Sequence, residues 1–364
     1  MASPATASAK EVPRREWSRD GMVNRGQNTM EAGVTPLFRN RGFLFLLGGS
    51  FLSLLAPWTQ RTAVLIWVYQ LTRSGVGVSL VGLAEALPLL VLAPVAGVFV
   101  DRWDRSRTMA TVVVIQAVAL LPLLLVHDPS GIAIILAVTI VVNAASQFFM
   151  PAASAALQEV VGTDALGEAN SLLQIVNSVV PVIAPGAAGL LFALAGPHRL
   201  VLVIVVVYLL AMPLLARVPA RRSKGQEASG AAFFDDMRAG LAYVARSRLL
   251  VMLIVVAFVA MLGVSGLTVL DVVFVTRALH QPAESVGWLL SATGVGELTG
   301  GVAAFLLSRW AASRYHWVLG TSVAFSGLGT LVYAFSPSLP VAIVVLFVVG
   351  LLLPQIMVAF TTMI

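Results

Sequence analysis

Apolar stretches of about 20 residues recur along nearly the whole of this 364-residue chain, and each is long enough to cross the hydrocarbon core of a bilayer as a helix. They are too many to share one buried core. Hydrophobic residues make up 59% of the chain and charged residues 11%. Soluble domains run near half apolar and a quarter charged, so water is not the main solvent of this surface. The pattern predicts ten spans, at 42–70, 78–100, 108–126, 131–158, 167–195, 200–216, 249–276, 284–308, 316–335 and 339–364. Helices are required, because the stretches lack the alternation of a barrel strand and only helices or closed barrels satisfy every backbone polar group in lipid. The fold class is therefore an all-α polytopic membrane protein. Pro57, Pro88, Pro94, Pro122, Pro151, Pro181 and Pro185 fall inside spans, where neighbouring helices tolerate kinks.

The placement of the 23 Lys and Arg residues sets the orientation. With the N-terminus in the cytoplasm, the inside segments carry Lys10, Arg14, Arg15, Arg19, Arg25, Arg39 and Arg41 in the tail, and Arg102, Arg105 and Arg107 after the second span. Arg217, Arg221, Arg222, Lys224, Arg238, Arg246 and Arg248 follow the sixth span, and Arg309 and Arg314 the eighth. Only Arg73, Arg199 and Arg277 fall outside, while Arg61 lies within a span. Nineteen against three is a positive-inside bias. A multi-pass protein of the cytoplasmic membrane with its N-terminus inside is expected.

The same distribution argues against nucleic acid as the partner of the +6 net charge, because the basic residues form no continuous face with interleaved aromatics. Enzymatic signals are poor as well. There is no cysteine, which excludes disulfides and thiolate metal sites. His127, His198, His280 and His316 sit in loops or at span ends without metal-ligand spacing, and no P-loop occurs. No metal, no cofactor and no catalytic residue is expected.

Residues 1–41 read as a polar cytoplasmic tail without the apolar core of a secretory signal, and 42–217 as a six-helix bundle. Residues 218–248 form a charged linker. Its later part reads as an amphipathic surface helix, with Phe233, Phe234, Met237, Leu241 and Val244 along one side. Four spans follow in 249–364. Weak similarity between VGLAEALP at 81–88 and VGWLLSATG at 286–294 suggests a duplicated half, as in many transporter folds. Two more helices would complete a second set of six, so a C-terminally truncated second bundle is expected.

Between the second and third spans stands GVFVDRWDRSRTM, residues 97–109. A carboxylate near the C-terminal end of a helix opposes the dipole there, so Asp101 requires basic partners, and Gly97 permits close backbone approach. Through Gly97, Asp101, Arg102, Arg105 and Arg107 the sequence resembles the major facilitator superfamily, whose G-x-x-x-D-R-x-x-R-x-[RK] loop these positions follow. Asp104 stands where the family usually has Gly. The resemblance implies two helical bundles with alternating access and a loop that latches one state. NSVVPVIAPGAAGLLFAL at 177–194 is similar to the antiporter motif of drug exporters at Pro185 and Gly189, with Ala184 and Ala188 in place of glycines. Small residues packing two helices account for that stretch equally well.

The segments 67–102, 150–161, GEAN at 167–170 and 233–247 resemble the branch that contains enterobactin exporters and macrolide efflux proteins. One departure is that the fourth span lacks the arginine of many proton-driven exporters. The resemblance implies export by a monomer in the lipid bilayer, and the mainly apolar spans favour a small amphipathic substrate (a drug, a macrolide-like compound or a siderophore). Protons are the expected partner in coupling, which the missing arginine leaves open. An importer of a small solute, or a membrane sensor or assembly protein on the same fold, is the alternative.

Ionisable groups inside spans default to functional candidates. Arg61 and Glu85 lie nine and seven residues from outer span ends, roughly 10–14 Å deep, where they are able to pair. Glu297 lies nearest the midplane, and Asp271, about five residues from an outer end, is expected to be wet. These four are the candidates for proton coupling or substrate binding. Gln60, Gln116, Asn143, Gln147, Gln174 and Asn177 are the polar residues expected in the central cavity.

Overall fold

The computed structural model describes residues 37–100, 103–163, 165–219, 247–248, 251–252, 270–311 and 315–363. The tail before residue 37, Asp101, Arg102, residues 220–246 of the linker with its expected amphipathic helix and most of the seventh span lie outside the described residues. Among those described, every regular element is helical. The long helices are α1 (Arg41–Thr72), α2 (Gly75–Val100), α3 (Arg105–Leu120), α4 (Ile132–Val161) and α5 (Leu166–Ala216), then α6 (Val286–Ala311), α7 (Tyr315–Ala334) and α8 (Leu339–Met363). Among the described residues, seven of these helices, some with a short 3-10 extension, contain a stretch long and apolar enough to cross a membrane. The 26-residue α6 carries Glu297 among small and polar residues.

Caps and breakers explain where the helices begin and bend. The Asn40 side chain accepts from the Phe43 N–H at 3.2 Å and starts α1, and Asp104 does the same for α3 by accepting from the Arg107 N–H at 2.9 Å. Gly196, at φ 77°, bends α5 sharply between the expected fifth and sixth spans, a left-handed conformation that suits glycine. Pro122 does not kink an α-helix. It stands in the first turn of a 3-10 segment, Leu121–Leu125, where its missing N–H leaves no helical hydrogen bond unmade. Asp128 caps the next short turn. Hydrogen bonds from the Ser130 hydroxyl and N–H hold its carboxyl below the usual carboxylate range.

The helices form two groups. In the first, α1 packs along α5, α2 lies on α4, and α3 contacts both α4 and α5; in the second, α8 packs against α6 and α7. We call the end where α1 begins the near end and the opposite end the far end. At the near end the first bundle is tied by three contacts: the Asn40 amide donates to the Val160 carbonyl at 2.9 Å, the Ser106 hydroxyl donates to the Leu215 carbonyl at 2.7 Å, and Arg105 pairs with Glu159. Large apolar side chains such as Leu90, Leu125 and Leu194 are more than 70% exposed. A water-facing surface rarely carries so many contiguous apolar groups, whereas lipid accepts them.

Candidate functional site

A cavity of about 270 Å³ opens within the first bundle, lined from α1 by Ser53, Pro57, Trp58, Gln60 and Arg61, from α2 by Glu85, from α3 by Gln116 and from α4 by Asn143, Ser146 and Phe149. Pro57 lies inside α1 beside this wall. Arg61 Nε and Glu85 Oε2 stand 3.1 Å apart, and the Arg61 guanidinium lies 5.8 Å from the centre of the Trp58 ring. The charge contact is close, but its angle leaves Nε without a well-formed hydrogen bond. Two buried acceptors in the same wall, Ser53 Oγ and Gln60 Oε1, have no hydrogen-bond partner among the described residues. Buried polar groups are normally satisfied, so unpaired ones beside a cavity are positions where a ligand or water finds a partner.

The expected polar residues separate into two sets. Gln60, Gln116 and Asn143 are in the cavity wall; Gln116 also bridges α3 to α4 by donating to the Val142 carbonyl at 3.3 Å and to Ser146 Oγ at 2.8 Å. Gln147, Gln174 and Asn177 are not in that wall, and the Gln147 amide donates at 3.1 Å to the Asn143 carbonyl of its own helix.

Glu297 sits on α6 and its direction follows from its neighbours. Trp288, Val295, Val302 and Leu306 form the exposed apolar stripe of that helix. Glu297 is two residues beyond Val295, about 200° round the helix, and so faces away from the stripe. Gly294 beside it packs on Val182 of α5, while Gly296 and Gly300 pack on Phe347 and Leu351 of α8. Glu297 therefore looks into the gap between α5 and α8, and its side chain is exposed there. Asp271 is elsewhere, and it is not wet. It is 6% exposed and accepts a hydrogen bond from the Tyr333 hydroxyl at 2.7 Å, with the Phe274 ring 4.7 Å from the Tyr333 ring centre. An aromatic cover from α7 keeps water from a position that depth alone would have hydrated.

The two bundles meet in the far half. A Cβ on Gly189 would stand 2.4 Å from the Glu284 carbonyl oxygen, and one on Gly287 would stand 2.4 Å from the Pro185 carbonyl oxygen, so both positions require glycine for close approach. Hydrogen bonds join the bundles in this half: Ser291 Oγ accepts from the Gly186 N–H at 2.9 Å, Gln70 donates to Glu284 Oε1 at 2.7 Å, and Arg277 donates to the Arg73 carbonyl at 2.8 Å. Pro185 and Gly189 of the antiporter-like stretch thus lie in a seal between α5 and α6. Sequence reasoning does not single out Gly287, Ser291, Glu284 or Gln70. The seven-residue spacing of Gly287 and Gly294, which puts both on one face of α6, is the available signal.

Of the loop motif, Gly97 lies in the last turn of α2 and Arg105 and Arg107 in the first turn of α3, while Asp101 and Arg102 are outside the described residues. Arg105 pairs with Glu159 near the end of α4, so the loop is fastened to a helix that also lines the cavity.

Known proteins of similar sequence and structure agree with this architecture. An uncharacterized MFS-type transporter, YfiS, of Bacillus subtilis (strain 168) is 26% identical over 86% of this chain and 75% of its own length. The multidrug efflux pump Tap of Mycolicibacterium fortuitum is 29% identical over 78% of this chain and 71% of its own. Macrolide efflux protein A of Streptococcus pyogenes is 24% identical over 42% of this chain and 38% of its own. Among solved structures, a mutant of the nucleoside transporter NupG superposes with a TM-score of 0.70 at 13% identity, covering 88% of this chain and 82% of that one. A bacterial homologue of the iron transporter ferroportin in an inward-facing state gives 0.63 at 18% identity, covering 89% and 83%. The sequence profile of the Major Facilitator Superfamily matches residues 42–364, and the chain, an all-α polytopic membrane protein of transporter type, belongs to that superfamily.

Proposed function

We propose that this transporter exports a small amphipathic molecule from the cell by alternating access, coupled to protons. The observation that carries the reading is the combination of a mixed cavity with a seal on one side of it. Trp58, Phe149 and Met150 offer apolar contact in the cavity, Arg61, Glu85, Gln60 and Asn143 offer a few polar ones, and the far half is closed by the Gly189–Gly287 packing. Such a site suits a ligand with a large apolar body and a small polar part. The efflux pumps among the similar proteins support the direction of export. The charge bias supports a cytoplasmic near end and a cytoplasmic membrane location.

In this reading residues 42–217 move as one bundle against the helices of 249–364, with 218–248 as the linker and 1–41 as the tail. Closing the near end while opening the far end requires the contacts of Gly189, Gly287, Gln70 and Glu284 to separate. The working unit is a monomer, since the cavity and the seal are formed within one chain. The test is deletion of the gene followed by profiling of retained or newly toxic compounds. Accumulation of amphipathic compounds that the complemented strain expels supports the reading; loss of uptake of a solute instead would make the chain an importer.

A further inference from the structure

We infer that a groove on the outer side of the first bundle, between α3 and α4, seats one anionic diacyl phospholipid from the leaflet at the near end, its phosphodiester on Arg107 and one acyl chain along Val112, Ile115, Val141 and Ala145. The inference rests on the chain spanning a bilayer and is independent of the substrate and of the direction of transport. The groove holds about 900 Å³, and Trp103, Asp104, Arg107, Thr108 and Thr111 stand at its mouth. Its inner reach is apolar and opens on the lipid-facing surface, where Ile115 and Val141 are each 45% exposed. Gln116, hydrogen-bonded to Val142 and Ser146, separates it from the polar cavity, so this is a second site and not an arm of the first.

Length and charge choose the occupant. From Asp104 to Ile115 is eleven residues, about 16 Å at the helical rise, which is half of a hydrocarbon core of about 30 Å. The groove thus runs from the interface to the midplane, the depth of one leaflet. Among the described lining residues the one carboxylate is Asp104, and it is already engaged, accepting the Arg107 N–H at 2.9 Å as the helix cap. Thr108 Oγ1 donates to the Asp104 carbonyl at 2.7 Å. The Arg107 side chain is exposed and forms no ion pair among the described residues. A guanidinium beside a helix N-terminus at interface depth is a site for a phosphate oxygen pair. Trp103, stacked on Phe148 with ring centres 5.9 Å apart, forms the aromatic rim that membrane proteins place at headgroup level.

Trp103 also reports on the site. The full chain is reconstituted in bilayers containing phosphatidylglycerol or phosphatidylcholine with brominated acyl chains, and the quenching of Trp103 is isolated by difference against Trp103→Phe. A single arginine near the surface favours an anionic lipid by roughly fivefold, so brominated phosphatidylglycerol should quench Trp103 with about five times the relative affinity of the choline lipid. In Arg107→Gln the ratio should fall to about one, with helicity unchanged. Ala145→Phe, which fills the apolar part, should weaken quenching by both lipids. Equal quenching by the two lipids in the unaltered chain, or a preference that survives Arg107→Gln, overturns the inference. So does a Trp103 shielded from both lipids, which would put a protein segment, the linker at 218–248 or a second copy, in the groove.

Discussion

The backbones of Gly189 in α5 and Gly287 in α6 cross so closely that a Cβ on Gly287 would stand 3.3 Å from the Gly189 Cα and 2.4 Å from the Pro185 carbonyl oxygen. No side chain fits between the two helices at this level. Replacing Gly287 with Leu should therefore disfavour the far-end-closed arrangement. Overpacking costs about 1–3 kcal/mol. If it falls on one state alone, it shifts the ratio of closed to open by roughly 5- to 150-fold. The chain has no cysteine, so a single Asn143→Cys gives a clean reporter in the cavity wall. Its labelling by a membrane-impermeant maleimide added at the far side should speed up in the Gly287→Leu background. Unchanged labelling would remove the seal from the alternating-access reading.

Orientation has a direct test. A reporter active only outside the cytoplasm should be silent when fused near residue 230 and active near residue 280, as the nineteen-to-three bias of basic residues requires. The reverse pattern would exchange near and far ends throughout.

The near-end loop gives a third expectation. Arg105 and Glu159 pair with side chains 12% and 32% exposed, between the exposed and the fully buried case. Replacing Glu159 with Gln should cost about 1–3 kcal/mol of stability, between the two limits for ion pairs. It should also lower transport, because the loop is hypothesised to hold one of two bundle arrangements. Asp101→Asn should lower transport with membrane insertion intact. Thermal unfolding in detergent and vesicle transport separate the two effects. Normal transport by both variants would leave the motif as an orientation signal alone.

How much of this is legible in the sequence depends on the range of the interaction that decides each feature. The spans follow from local composition, and the helix bend at Gly196 falls between the expected fifth and sixth spans because glycine takes a positive φ there. The Arg61–Glu85 contact is within reach, since both depths can be counted from span ends. The burial of Asp271 is not legible. It depends on Tyr333, 62 positions away on α7, and no periodicity couples the two. Pro122 reads as a kink by position, yet the change to a 3-10 turn is set by how α3 ends, two residues before it. The partners of Gln147, Gln174 and Asn177 depend on helix rotation. A span that is apolar nearly all round gives little signal for rotation.

In the proposed proton-coupled cycle, geometry makes Glu297 the first choice for the group that carries the proton. Its carboxyl faces the gap between α5 and α8, opposite the lipid-facing stripe, on the helix whose far half forms the seal. Rocking of the bundles would change which side of the membrane reaches it, which is what a carrier of protons needs. Glu85 is held 3.1 Å from Arg61 and must first leave that partner, and Asp271 lies behind Tyr333. Glu297→Gln keeps the shape and removes the proton site. In inverted vesicles energised by a pH gradient, this variant should lose uphill accumulation of substrate and should no longer dissipate the gradient when substrate is added, while downhill binding persists. A Gln variant that still accumulates substrate and still dissipates the imposed pH difference would clear Glu297 of the role. Glu85 with Arg61 would then be the pair to neutralise next, and Glu85→Gln in the same vesicles would have to show the loss.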